Sequence, residues 1–156
     1  MGEPFDLDAF LSLPLIARLA TNGPTVRPTW YLWEDRAFWI LTGPWGRLLS
    51  RVRVDAETAL VIDTCDLGTG LVRQAIARGS AEILPFDVPR GRRKLSRYLG
   101  DDDTGWDPRF RRYLLEDPGE LGTMWVRITP RSLVAKDLSF SVHPRSRPNA
   151  QGTNRR

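Results

Sequence analysis

Cysteine, histidine and lysine are nearly missing from this 156-residue chain: Cys65 and His143 stand alone, and Lys94 and Lys136 are the only lysines. A single cysteine forms no internal disulfide and builds no Cys-based zinc site. The single histidine falls in the C-terminal tail, where a Ser-His-Asp triad is not expected, and one histidine builds no multi-histidine metal centre, so no metal is expected. Cys65 lies between Asp63 and Asp66, whose charges disfavour a reactive thiolate. No run of about 18 apolar residues occurs, which excludes a membrane-spanning helix. Residues 1–6, Met-Gly-Glu-Pro-Phe-Asp, are acidic and lack the basic-then-apolar layout of a signal peptide. Cytoplasmic residence is the expectation.

What is present is a core and an excess of arginine. Hydrophobic residues make up 41% of the chain, enough for one packed domain. The formal net charge is +4. That balance raises nucleic acid as a remote alternative partner, although part of it sits between Arg145 and Arg156. This stretch, rich in Pro, Ser, Asn and Gly, reads as a basic, disordered tail over 141–156, leaving a domain over 1–140.

The chain punctuates itself clearly. Residues 6–13 form a short amphipathic helix capped by Asp6 and stopped by Pro14. Residues 15–20 read as a strand, Asn22-Gly23 as a hairpin turn, and 25–33 as the return strand. Pro28 places that return strand at an edge or bulge. A third strand over 36–42 completes a meander and runs into a turn-helix at 43–54. Residues 58–63 and 71–84 are strands, the second bent at Gly79. Helices follow at 87–99, with Asp87 as N-cap and Gly100 as stop, and at 107–116. Strands at 123–129 and 131–138 close the domain. Six or seven strands, mostly in hairpin order, favour a small antiparallel barrel with a few helices.

The turn-helix at 42–55 carries the functional signal. A strand ending in a Gly/Pro turn and feeding a helix presents unpaired N–H groups that suit an anion. Arg47 and Arg51 lie one turn apart on one face. The alternative is a merely solvated arginine face above an inward Leu48, Leu49 and Val52. The acidic loop Asp101–Asp103 lacks calcium-loop spacing and reads as a solvated helix approach. Six tryptophans exceed what one small core needs. Trp30, Trp33 and Trp39 on adjacent strands leave both core packing and a ligand or partner contact open.

The ordered pieces resemble the flavin-binding split-barrel proteins related to pyridoxamine 5′-phosphate oxidase. The resemblance spans roughly residues 10–138: Leu15–Ala20, Arg27-Pro28-Thr29-Trp30-Tyr31-Leu32-Trp33, Phe38–Thr42, the helix to Asp55, Ala59–Asp63, Arg78–Glu82 and Trp125–Pro130. It implies a homodimer of six-stranded split barrels with a flavin-type cofactor in each groove between subunits. FMN or the deazaflavin coenzyme F-420 is the implied cofactor, its ring flanked by the backbone near Pro28–Tyr31. Carried over, the implied cofactor-binding set is Arg27, Pro28, Thr29, Trp30, Tyr31, Thr42, Gly43, Trp45, Gly46, Arg47 and Arg51. The family often carries Ser/Thr-Arg-Lys in the turn-helix; here Gly46, Arg47 and Leu48 stand there. The missing lysine leaves Arg51 or Arg27 to replace it. The implied activity is hydride transfer between the cofactor and a small molecule, with no catalytic residue assigned. A non-catalytic protein holding a flavin, haem or tetrapyrrole is the alternative. No C-terminal substrate-phosphate motif is evident, leaving only Arg145 and Arg147 for such a role.

Overall fold

In the computed structural model, residues 2–115 and 120–143 are described. The expected tail falls outside them from residue 144 onward, Arg145 and Arg147 included. Leu7–Leu11 is α1, with Asp6 accepting from the Ala9 N–H at 2.9 Å. Then come β1 (Ala17–Thr21), β2 (Thr25–Thr29), β3 (Leu32–Glu34), β4 (Ala37–Thr42) and α2 (Leu48–Val54). The chain continues through β5 (Glu57–Asp66), β6 (Leu71–Pro85), α3 (Val88–Leu99), α4 (Pro108–Leu115) and β7 (Met124–Asp137).

All pairings are antiparallel, in one sheet ordered β2-β1-β5-β6-β7-β4-β3. The sheet curls into a split barrel of seven strands rather than the six expected. The difference lies at residues 30–31. The single return strand expected over 25–33 breaks there, and its halves part to opposite edges of the sheet. Pro28 has no N–H to extend a ladder, and the backbone of Tyr31 is held by Tyr98 of α3 instead. The expected pair at 123–129 and 131–138 is one strand, β7. Its register against β6 shifts between Arg78 and Gly79, the bend anticipated at Gly79. There the backbone of Thr129 lies so near that no Cβ fits.

The barrel interior is filled by Leu19, Phe38, Ile40, Leu60, Ile62, Val126 and Ile128, with α1 and α2 adding Leu11, Leu48, Leu49 and Val52. A second cluster on the opposite face joins Leu32, Trp39 and Trp125, with Phe86 packed against it. So β4 is buried on both faces, which explains its nearly unbroken apolar run. Glu34 fastens β3 to α3, accepting from Arg90 at 2.8 Å and from Arg93 at 2.7 Å. The Arg93 hydrogen bond, with Arg90 beside it, holds the Glu34 carboxyl below its ordinary range. Among the described residues no helix is long and apolar enough to cross a membrane.

Candidate functional site

The parting of β2 from β3 opens a cavity of about 390 Å³ between the edge strand β2 and the β4–α2 turn. One wall is Thr25 to Thr29. The other is Ile40 to Thr42, then Trp45, Gly46, Arg47 and Leu48, with Arg51 one helical turn on. Three guanidinium-bearing residues, Arg27, Arg47 and Arg51, therefore meet at one hollow. None has a carboxylate partner among the described residues, whereas most other arginines near acids are paired. Arg27 donates only to the hydroxyls of Thr21 and Thr25, at 3.3 and 3.2 Å. Partial burial, then the charge of Arg51, lowers the Arg27 guanidinium pKa. Like charges held together without a counter-ion create a field that an anion relieves.

The expected residues divide by position. Arg27, Pro28, Thr29, Thr42, Trp45, Gly46, Arg47 and Arg51 line this cavity together. Trp30, Tyr31 and Gly43 do not. The Tyr31 side chain is wholly buried in the barrel core, where burial raises its phenol pKa. Trp30 lies beneath Tyr98, ring on ring at 4.4 Å, and also stacks on Phe110 at 5.4 Å. Gly43 sits under the Trp45 indole, so close that no Cβ would fit. Its part is to let that ring lie against the backbone. Leu48, where the lysine was expected, is buried in the core and lines the floor of the cavity. The cationic positions are instead Arg51, a turn later, and Arg27, across the gap.

Sequence reading missed Thr25, Val26, Ile40 and Leu41 as lining residues. Edge position would have flagged the first two, since the free side of an edge strand must face something. Of the remaining candidates, Asp102 caps a turn through Thr104 and Asp103 pairs with Arg92 at 2.6 Å, so that loop is structural. Four of the six tryptophans, Trp33, Trp39, Trp106 and Trp125, are buried; Trp45 is 58% exposed.

Fold and cavity together define a split β-barrel with an arginine-lined groove at its open seam. No family model and no curated protein matches the sequence. Solved structures do match the fold. A conserved hypothetical protein from Mycobacterium tuberculosis aligns with TM-score 0.69 and 18% identity over 93% of this chain and 94% of that one. The FAD-binding protein from Mycobacterium smegmatis aligns with TM-score 0.56 and 18% identity over 90% and 100%. A protein named F-420 reductase aligns with TM-score 0.56 and 18% identity over 83% and 97%. At such identities the likeness is one of fold: this chain is a split barrel of the kind those proteins adopt.

Proposed function

We propose that this protein binds a flavin-type cofactor, FMN or deazaflavin coenzyme F-420, and acts as an oxidoreductase on a small molecule. The observation that carries this reading is the meeting of Arg27, Arg47 and Arg51 at one cavity without a carboxylate among the lining residues. Guanidinium groups bind phosphate oxygens through charge-assisted, often paired hydrogen bonds. Val26, Pro28, Ile40, Leu41 and Trp45 supply the apolar surface a flat ring requires. The donor set and the walls thus suit a phosphate-bearing planar ligand. The names of the structural neighbours, FAD-binding and F-420 reductase, point the same way.

A bound flavin or deazaflavin would supply hydride transfer. The chain's own part is to hold the phosphate, orient the ring and keep water from it. The cavity lining has no carboxylate, histidine, thiol or lysine. Hydride delivery asks for none, which favours this chemistry over acid-base catalysis. The same lack favours, as a second reading, a carrier that retains the cofactor without turnover. Exposed Val26 and Trp45 on the groove, and Val54 on an adjoining hollow that shares Arg51, suit cover by a second copy, so we read the working unit as a homodimer with the cofactor between subunits.

The test is a titration of the wild type and Arg47→Ala with FMN and with F-420. Tight binding of one of them is expected, weakened about tenfold or more in the variant, since a hydrogen bond to a charged group contributes ~1.5–3 kcal/mol. Folding of the variant should be unchanged, because Arg47 is exposed. Neither cofactor binding the wild type would end the cofactor reading. Retention without reduction or reoxidation by any acceptor would select the carrier.

A further inference from the structure

We propose that the Tyr98 hydroxyl is the staple that fixes the opening of the arginine-lined cavity, making Tyr98 a positioning residue for the cofactor held there. The inference rests on the cofactor reading above. The cavity is the space inside a V. One arm is β2, which pairs only with β1; the other is β3 with β4, which pairs onward to β7. The apex is Trp30-Tyr31, where the sheet has no ladder. Elsewhere the arms are joined only the long way round the curled sheet, so a side chain that ties the apex directly to the base of one arm would hold the angle between them.

Tyr98, 67 residues further along the chain, does so. The Tyr31 N–H donates to the Tyr98 hydroxyl oxygen at 3.1 Å. That hydroxyl can donate to the carbonyl of Leu15 at 2.7 Å or of Tyr31 at 3.1 Å. A phenol has one proton, so it serves one carbonyl at a time, and the shorter contact is to Leu15. Leu15 leads into β1, the strand that carries β2. One oxygen on α3 thus ties the apex to the base of the β2 arm. Arg27, Pro28 and Thr29 ride on that arm. The aromatic ring does a separate job, stacking on Trp30 at 4.4 Å with an interplanar angle of 2°. A phenylalanine keeps the stack and deletes only the staple.

The experiment is a double-mutant cycle of Tyr98→Phe with Arg27→Ala, read as FMN and F-420 affinity. A positioning role makes the two changes non-additive. Tyr98→Phe should weaken binding about tenfold when Arg27 is present and less than twofold when Arg27 is alanine, because the misplaced arm then carries no cation to misplace. Equal losses in both backgrounds, or no loss in either, overturn the staple while leaving the cofactor reading intact. No binding by the wild type overturns the cofactor reading and the staple with it. Amide hydrogen exchange on the wild type is a second readout that needs no variant. The Tyr31 N–H should be protected well beyond edge-strand amides, and rapid exchange there would overturn the proposal.

Discussion

At the scale of single residues, Lys94 is the side chain most at odds with its surroundings. It is 5% exposed on the inner face of α3, and among the described residues it has no ion-pair partner. Its ammonium lies 5.8 Å from the Trp30 ring, a weak substitute for a counter-ion. Burial lowers its pKa to about 8. The sign of the consequence follows from proton binding. Between pH 8 and the ordinary lysine value the unfolded chain binds the extra proton, so stability rises with pH across that window. Below pH 8 both states are protonated and the full cost of the buried charge is present, of order ~3 kcal/mol. Lys94→Met should therefore stabilise the protein at pH 7 by about 2 kcal/mol and flatten the rise above pH 8. Denaturant titrations at pH 7 and pH 10 check both halves. A destabilised Lys94→Met would mean that the ammonium has a partner this reading lacks. Such a residue was invisible in the sequence, where Lys94 sits in a run of arginines that reads as solvated. Arg47 and Arg51 were legible as a pair because helical spacing alone puts them on one face. Arg27 was legible only through resemblance, since nothing in its own strand says that α2 lies opposite.

At the scale of elements, local signals fixed most boundaries. Asp6 and Asp87 cap their helices as their positions announce. Gly100 ends α3 at φ 89°, and Gly79 marks the irregularity between β6 and β7. The break between β2 and β3 was not legible. Trp30 and Tyr31 are good strand formers, and the group that interrupts them is a tyrosine on a helix far along the chain. The turn before α2 was legible as a turn but not for its packing. Gly43 is buried under the Trp45 ring, and that packing holds a largely exposed indole against the cavity. Gly43→Ala should push the ring outward at little cost to the fold, because Trp45 buries little of itself. The expected result is a shift in Trp45 emission and about a tenfold loss of FMN or F-420 affinity. Trp45→Ala should lose as much, and the double variant no more than either alone. An additive double variant would separate the glycine from the indole and remove this account of the turn.

At the scale of the whole molecule, apolar exposure and charge act in opposite directions on self-association. Val26, 70% exposed, and Trp45 line the arginine cavity, and Val54, 88% exposed, lines an adjoining hollow that shares Arg51 with it. Large apolar groups grouped around a hollow mark an interaction surface more often than chance exposure does. Two copies meeting there would remove them from water, at about 25 cal/mol for each Å² buried. They would also bring together arginines on molecules each of net charge +4. An anionic cofactor in the groove relieves that repulsion, so cofactor binding and dimerisation must favour each other by the same factor. Three consequences can be read by light scattering across a salt series. The cofactor-free dimer should tighten as salt screens the arginines. Cofactor affinity should fall over the same range. Val54→Arg, which removes apolar contact and adds like charge at the seam without setting a carboxylate beside Arg51, its neighbour in a second hollow, should yield monomers that bind the cofactor at least tenfold more weakly. A Val54→Arg protein that stays dimeric would place the interface on another face. A monomeric one that binds as tightly as the wild type would show that each barrel holds its cofactor alone.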